Sequence, residues 1–282
     1  MSKVAVVGAG TMGNGIAHVF AQYGWDVSLV DLEPEALERA LKKIATNIER
    51  LARKGVGSLD SGAGTLARIK PSTSFAAVKG AEILVEAATE NFKIKSEIFA
   101  TVSRLLAPDS ILASNTSSIS ITELAKHANN PARVIGMHFM NPVPLMPLVE
   151  VVRGQETGDG SIARVVEIAK ELGKTPVVVH DAPGFVSNRV LMPMINEAIL
   201  CVQEGIATAE AVDQVMTLGM KHPLGPLALA DLIGLDVCLA ILEVMVEGFA
   251  NPKYRPARLL KEMVASGRLG RKSGVGFYVY RD

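Results

Sequence analysis

Short apolar runs alternate with amphipathic stretches from the start of the chain to about residue 180. Runs rich in valine and isoleucine are typical of strands covered on both faces, and apolar residues recurring every three or four positions predict helices between them. The predicted strands are Lys3–Val7, Asp26–Val30, 82–87, 110–113 and 176–179, with two more around His138 and Glu150. This alternation predicts an α/β fold with a Rossmann-type, doubly wound sheet.

The pattern changes at Asp181-Ala-Pro-Gly184, and from Phe185 onward it is helical almost to the end. We therefore predict an N-terminal domain at residues 1–183, with a helical insertion near 34–70, and an all-α domain at 184–282. The segment 227–247 is more apolar than one small domain can bury, so we expect a homodimer or a higher homo-oligomer.

Composition excludes several classes of function. The chain has 282 residues, and its 29 Lys plus Arg balance its 29 Asp plus Glu, which does not favour nucleic-acid or membrane-surface binding. Cys201 and Cys238 lie in apolar helical segments, so we interpret them as buried thiols in a reducing compartment, with no metal. A strand begins just after Met1 and no apolar run reaches membrane-spanning length, so we expect a cytoplasmic protein.

A glycine-rich turn follows the first strand. The sequence Gly8-Ala9-Gly10-Thr11-Met12-Gly13 leads into a helix, and the next strand ends in Asp31. Such glycines let a pyrophosphate approach a helix N-terminus, and the acid accepts hydrogen bonds from a ribose. A turn that merely packs would not need Asp31. We predict a dinucleotide site here, with NAD preferred over NADP because no arginine directly follows Asp31.

Two further regions allow more than one interpretation. Arg50 and Lys54 lie one turn apart near the end of an amphipathic helix at 34–54, followed by a loop at 55–64 and a short helix at 65–69. These cations either form a solvated helix end or contact phosphates. The polar residues 114–118 follow a strand, where they either line a ligand site or cap the helix from Ile121; we favour Ser120 as the cap, with Glu123 completing a capping box.

The stretch VIGMHFMNPVPLMPLVEVV holds His138 and Glu150 at the edges of two apolar runs. Three prolines between them exclude a helix, so a loop between two strands would bring the side chains together. An imidazole held by a carboxylate is a general base with a fixed tautomer. A lone histidine is often only a core residue, but a carboxylate among apolar neighbours needs a partner, which favours the pair.

These motifs together resemble the 3-hydroxyacyl-CoA dehydrogenases, most closely the bacterial 3-hydroxybutyryl-CoA dehydrogenases. The resemblance rests on VAVVGAGTMGNGIAHVFA, EAATEN, SNTSS, GMHFMNPVPLMPLVEVV, DAPGFVSNRV, HPLGPLALADLIGLD and GRKSGVGFYVY, and it covers essentially the whole chain. It implies an NAD-dependent enzyme that interconverts a 3-hydroxyacyl-CoA with a short acyl chain and its 3-oxoacyl-CoA.

The resemblance also implies roles for particular residues. His138 would be the catalytic base with Glu150 as its partner, and Ser117 and Asn188 would contact the reacting oxygen. The implied cofactor residues are Gly8, Gly10, Thr11, Met12, Gly13, Asp31, Glu90, Lys95 and Asn115. The implied contacts to coenzyme A phosphates are Arg50 and Lys54.

Two alternatives remain beside this interpretation. A dehydrogenase of a free 3-hydroxy acid would, as a class, carry a lysine in the helix after the domain boundary, where this chain has Asn188. A non-catalytic NAD-binding protein would not need both His138 and Glu150.

Overall fold

The structure, a computed structural model, describes residues 2–53 and 62–280. The chain divides into two compact units, Met1–Ala182 and Pro183–Asp282. Within the described ranges, the helices are all too short or too polar to cross a membrane.

The first unit is built on one sheet. Among the described residues it has eight strands in the order β3-β2-β1-β4-β5-β6-β7-β8. The strands are β1 (Lys3–Val7), β2 (Asp26–Val30), β3 (Ile69–Ser72), β4 (Ile83–Glu86), β5 (Ile111–Ser114), β6 (Val134–Phe139), β7 (Leu148–Arg153) and β8 (Thr175–His180). Neighbouring strands are parallel except for β6 and β7, which are antiparallel. The predicted doubly wound α/β sheet is confirmed.

Helices pack against this sheet because its central strands are apolar on both faces. The helices of the first unit are α1 (Thr11–Gln22), α2 (Pro34–Arg53), α3 (Gly62–Ala67), α4 (Phe92–Val102), α5 (Ile121–Ala125) and α6 (Asp159–Glu171). In β1, Val4 and Val6 are fully buried, and Phe20 of α1 packs edge-to-face on Trp25 with ring centroids 5.3 Å apart. Ser120 caps α5 as expected, since its side chain accepts a hydrogen bond from the Glu123 amide.

Strand β3 was not expected from the sequence. Its sequence is IKPS, only Ile69 is buried, and it pairs in parallel with β2 at the edge of the sheet. The prediction of helix at 65–69 is therefore wrong at its end, and α3 begins earlier, at Gly62. An edge strand needs neither continuous apolar character nor every backbone donor, which is why Pro71 is tolerated and why the pattern gave no strand.

The second unit is all-α in its described part, as predicted. Its helices are α7 (Ser187–Gln203), α8 (Ala209–Gln214), α9 (Pro226–Ile233), α10 (Leu235–Phe249) and α11 (Arg258–Ala265). Asp231 of α9 is 1% exposed and accepts hydrogen bonds from the amides of Phe277 and Tyr278 and from the Tyr280 hydroxyl. This buried carboxylate explains how the glycine-rich C-terminal segment is held to the helices.

Candidate active site

The glycine-rich turn has little room for side chains at two of its glycines. Gly8 has a positive φ of 101°, and a Cβ there would lie 2.6 Å from the carbonyl oxygen of Ala87. A Cβ on Gly13 would collide with the carbonyl oxygen of Gly8, whereas one on Gly10 would meet nothing within 4 Å. The turn is therefore tightly closed at both ends and open at Gly10, where a ligand can approach the backbone.

Asp31 connects this turn to the end of β2. Its Oδ2 accepts a hydrogen bond from the Ala9 amide at 2.7 Å, and its Oδ1 accepts one from the Glu33 amide at 3.1 Å. No side chain caps the N-terminus of α1. The uncapped amides and the positive end of the helix dipole suit a pyrophosphate, and a carboxylate at this strand end suits a ribose.

A cleft of about 840 Å³ opens at this turn. It is lined by Gly8, Gly10, Thr11, Met12, Asp31, Leu32, Glu33 and Arg39, together with residues from the ends of β4 and α4. Its volume falls in the range of small-molecule and cofactor sites. The residues present fit a dinucleotide, and we call this space the cofactor cleft.

A buried ion pair lies beside the cofactor cleft. The ammonium of Lys95 donates to both oxygens of Glu86, at 2.8 and 2.9 Å, and to the Ala88 carbonyl, and the two side chains are 1% and 0% exposed. Glu86 also accepts hydrogen bonds from the Ser114 hydroxyl and the Ala88 amide. Such burial does not favour the direct cofactor contact expected for Lys95, which instead fixes neighbouring carboxylates.

Glu90 accepts hydrogen bonds from the residues that follow β5. Its Oε1 accepts hydrogen bonds from the Thr116 hydroxyl at 2.6 Å and from the amides of Ser117 and Ser118 at 2.9 and 3.1 Å, while Lys95 lies 3.4 Å from its other oxygen. Burial acts to raise the pKa of Glu90, but the Lys95 charge and these hydrogen bonds outweigh it, so the pKa lies below its ordinary value. Glu90 thus stays ionised and holds Ser117 in position.

His138 and Glu150 face each other across the antiparallel strands β6 and β7. They are direct partners in the strand register, and the Nδ1 of His138 lies 2.8 Å from the Oε2 of Glu150. Both residues are buried, at 7% and 2% exposure. With the Nδ1 proton directed at the carboxylate, Nε2 is the ring nitrogen that can accept a proton. The two side chains come together as the sequence predicted.

Asn115 places the end of β5 against the same pair of strands. Its Oδ1 accepts a hydrogen bond from the backbone amide of Phe139, the residue after His138, at 2.9 Å. Asn115 is 8% exposed. Three predicted site residues, Asn115, Ser117 and His138, therefore lie at the carboxyl ends of adjacent strands, where open α/β sheets bind their ligands.

A second cleft, of about 570 Å³, lies between α2 and the segment 141–144 and shares the glycine-rich turn with the first. Its wall on α2 carries the cations Arg39, Lys43 and Arg50, and its opposite wall is the segment 141–144. We call it the basic cleft. The described residues form no ion pair with any of these three cations, which leaves their charges available to an anionic ligand.

Two of the expected site residues are not among the described residues of the first unit. Lys54 falls outside the described residues. Asn188 lies in the first turn of α7, in the second unit, and is 8% exposed. Arg53, which precedes Lys54 in the chain, does not line the basic cleft and forms an exposed 3.8 Å pair with Glu49. Arg53 therefore matches the solvated-face interpretation.

Sequence reasoning missed some of the residues that shape the site. Arg39 and Lys43 precede Arg50 at helical spacing, by eleven and seven positions along α2, so a count of cations by helical face would have found them. Glu86 ends a strand that is otherwise apolar. A buried carboxylate must be paired, and only this requirement would have predicted its ion pair with Lys95.

A Rossmann-type sheet with this glycine-rich turn and acidic strand end defines a dinucleotide-binding protein. The family model described as 3-hydroxyacyl-CoA dehydrogenase, NAD binding domain, matches residues 3–182, and the model for the C-terminal domain of the same family matches residues 184–280. The chain therefore belongs to the 3-hydroxyacyl-CoA dehydrogenase family, and its cofactor is NAD.

Individual relatives match over the whole length. A probable 3-hydroxybutyryl-CoA dehydrogenase of Bacillus subtilis is 51% identical over 100% of this chain and 98% of its own length. A protein of the same description from Deinococcus radiodurans is 53% identical over 99% of this chain and 100% of its own. The crystal structure of (S)-3-hydroxybutyryl-CoA dehydrogenase from Ralstonia eutropha superposes with a TM-score of 0.95 at 50% identity, covering 100% of both chains.

The carboxylates at the end of β2 generate a prediction about cofactor choice. Asp31 and Glu33 both line the cofactor cleft and repel a 2′-phosphate, so kcat/KM should be at least about tenfold higher with NADH than with NADPH, a difference of about 1.4 kcal/mol. Asp31→Asn should narrow this ratio, because the amide oxygen can still accept from the Ala9 amide while the charge is lost. Steady-state kinetics with both cofactors measures the ratio.

Asp26→Asn is the matched control, since Asp26 is exposed at the opposite end of the same strand and should leave the ratio unchanged. Equal kcat/KM for the two cofactors in the unmodified protein would contradict this role of the two carboxylates.

Proposed function

We propose that the protein is a 3-hydroxybutyryl-CoA dehydrogenase, which interconverts 3-hydroxybutyryl-CoA and acetoacetyl-CoA with NAD as the hydride carrier. The observation that carries the proposal is the buried His138–Glu150 hydrogen bond at the carboxyl edge of the sheet. A secondary alcohol needs a base for its hydroxyl proton, and this pair supplies one. The names of the relatives support the substrate.

His138 takes the hydroxyl proton on its Nε2 in the oxidation direction, and Glu150 stabilises the imidazolium that forms. The glycine-rich turn and Asp31 would hold NAD⁺, which would supply the acceptor for the hydride that leaves C3. In reduction, the imidazolium returns its proton to the oxygen at C3, so the same pair serves both directions. Fixing the imidazole through Nδ1 saves the cost of orienting it in each turnover.

Ser117 and Asn188 help to hold the reacting oxygen in this proposal. For Ser117 the support is structural, because Glu90 binds its amide and hydroxyl beside the end of β5. For Asn188 the support is the family motif DAPGFVSNRV alone. The Asn188 amide can donate a hydrogen bond to an oxygen that gains negative charge, and the Ser117 hydroxyl can do so by turning away from its long, 3.4 Å contact with Glu90.

The basic cleft is the proposed site for the coenzyme A phosphates. Arg39, Lys43 and Arg50 line one wall, and guanidinium and ammonium groups bind phosphate oxygens through charge-assisted hydrogen bonds. The cleft shares Gly10 and Thr11 with the cofactor cleft, so a thioester bound there begins close to the cofactor. A free 3-hydroxy acid carries one carboxylate and no phosphates, so it would not need three cations along α2, which argues against the free-acid alternative.

The chain is also proposed to form at least a homodimer through its second unit. Val190 of α7 and Leu232 of α9 are 65% and 53% exposed, and Val237 and Val244 of α10 are 40% and 37% exposed. Apolar residues collected on helices of one small unit are typical of a protein–protein interface.

Replacing the members of the His138–Glu150 pair tests the proposed chemistry. His138→Gln should lower kcat for acetoacetyl-CoA reduction at least about a hundredfold, the contribution typical of a general acid or base. The Kd for NADH should not change, because His138 does not line the cofactor cleft. Glu150→Gln should also lower kcat, since it keeps the shape of the site but loses the charge that stabilises imidazolium. The measurements are stopped-flow or steady-state NADH oxidation and fluorescence titration.

His180→Gln is the control for this pair, because His180 is exposed at the end of β8 and should leave kcat unchanged. Near-full activity of His138→Gln would place the base elsewhere. Activity with free acetoacetate equal to that with acetoacetyl-CoA would favour the free-acid dehydrogenase, and no NADH oxidation with either would favour the non-catalytic alternative.

Removing cations of the basic cleft tests where coenzyme A binds. The double change Lys43→Ala with Arg50→Ala should raise KM for acetoacetyl-CoA about tenfold at low salt, because two charge-assisted contacts at exposed positions together contribute about 1.4 kcal/mol. The change in kcat should be smaller, since these contacts are remote from the reacting carbon. The difference should shrink at high salt, which screens exposed charges.

Two controls separate this effect from general damage. Arg53→Ala removes an 82% exposed cation of the same helix that does not line the cleft, and should leave KM unchanged. The N-acetylcysteamine thioester of acetoacetate lacks the phosphates, so its KM should be the same for the double variant and the unmodified protein. If the double variant has the same KM for acetoacetyl-CoA as the unmodified protein at low salt, these cations only form a solvated helix face.

The assembly is tested by light scattering at micromolar concentration, where we expect at least twice the mass of one chain. Val190→Asp should shift the protein towards monomer, because a charge cannot be buried in an apolar interface without a partner. Ala265→Asp is the matched control, because it adds the same charge at an exposed position of α11 and should leave the mass unchanged. A monomeric mass for the unmodified protein would contradict the proposed homodimer.

A further inference from the structure

A buried cation lies beneath the loop that joins the two strands of the His138–Glu150 pair. Lys174, between α6 and β8, is 9% exposed, and its Nζ donates to the carbonyl oxygens of Val143 at 2.6 Å and Met146 at 2.9 Å. Within residues 2–53 and 62–280, no carboxylate forms an ion pair with it. A buried ammonium requires strong partners, and here the loop 141–147 provides them.

The loop is held as one unit by consecutive residues. Next to Lys174, the amide of Thr175 donates to the Pro147 carbonyl at 2.7 Å as β8 begins. Inside the loop, the amides of Leu145 and Met146 both donate to the Pro142 carbonyl at 3.0 Å. The loop backbone is therefore fixed by the side chain of Lys174, by the amide of Thr175 and by the turn at Pro142.

The other side of the loop packs closely against helix α1. Val143 is 2% exposed, and a Cβ added to Gly15 would lie 2.9 Å from the Cβ of Val143. The absence of a side chain at Gly15 thus lets the loop approach the helix. In this position residues 141–144 form the wall of the basic cleft that faces α2.

His18, one turn after Gly15, is also buried near the cation. Burial first, and then the charge of Lys174, lower the pKa of His18 to about 4, so its imidazole is neutral at neutral pH. Burial also lowers the pKa of Lys174. A neutral His18 adds no repulsion beside the ammonium, which leaves the two loop carbonyls as its bound partners.

We propose that Lys174 is a positioning residue for substrate binding: by holding the carbonyls of Val143 and Met146, it fixes loop 141–147 as the second wall of the basic cleft. The proposal rests on the proposed function for the identity of the ligand in that cleft. Lys174 acts through the loop. Because loop residues line the basic cleft and none lines the cofactor cleft in the described part of the chain, its loss affects substrate binding selectively.

Lys174→Met tests this role, because it keeps the length and apolar stem of the side chain while it removes the donor. Hydrogen–deuterium exchange at the amides of Leu145 and Met146 should become at least about tenfold faster, the factor that 1.4 kcal/mol represents. KM for acetoacetyl-CoA should rise about tenfold, while kcat changes by less than about threefold. The Kd for NADH should remain unchanged.

Lys174→Arg should restore much of the KM, since a guanidinium can still donate to both carbonyls, and a merely space-filling role would not distinguish Arg from Met. Lys170→Met is the matched control: Lys170 is exposed one turn earlier on α6 and bonds none of the loop carbonyls. It should change neither exchange nor KM. If Lys174→Met does not fold, Lys174→Gln, which is shorter and uncharged but keeps an N–H donor, should give the same two effects in smaller size.

The outcomes separate the two proposals. Unchanged exchange at Leu145 and Met146 would overturn the loop contact, whatever the activity. Faster exchange with an unchanged KM would overturn the positioning role. If the unmodified protein does not reduce acetoacetyl-CoA while Lys174→Met still accelerates exchange, the proposed function fails and the loop contact is supported.

Discussion

The register of β6 against β7 is the constraint on which the site depends. His138 and Glu150 meet because they are direct partners across this pair, and a slip by one residue would turn each side chain to the opposite face of the sheet. Gly136, opposite Val152 in the same register, contributes to this alignment, because a Cβ there would lie 2.6 Å from the Val152 Cβ. The hydrogen bond from the Phe139 amide to Asn115 fixes the same strand from its other neighbour.

Three paired carboxylates, two of them buried, organise the edge of the sheet around this pair. The buried Glu150 is paired with an imidazole, the buried Glu86 with the ammonium of Lys95, and the more exposed Glu90 with the hydroxyls and amides that follow β5. Removing the partner of Glu86 or Glu150 would leave a charge in a medium that solvates it poorly, at a cost of several kcal/mol. Each pairing therefore also fixes the backbone that carries it, which is how Ser117 and Asn115 reach their positions without being part of a helix or strand.

Local patterns were sufficient for much of the fold and part of the site. The glycine-rich turn with Asp31, the strands around His138 and Glu150, and the change to helices near Gly184 are each carried by neighbouring residues in the chain. Strand β3 was missed because its pairing with β2, and not its own composition, makes it a strand. Glu86 with Lys95, and Lys174 with the loop carbonyls, were missed because their contacts join separate elements. Contacts of this kind form when separate elements pack together, and the spacing of apolar residues within one helix or strand does not predict them.

The two clefts of the first unit are adjacent because the same turn forms a wall of both. Gly10 and Thr11 line the cofactor cleft and the basic cleft, and so does Arg39 of α2. A glycine at position 10 leaves its backbone accessible from either side, and an exposed guanidinium between the clefts favours anions in both. A dinucleotide and a coenzyme A thioester are both anionic and would repel each other at this distance. In the proposed binding mode Arg39, which lines both clefts, would offset part of that repulsion and help two polyanions to bind side by side.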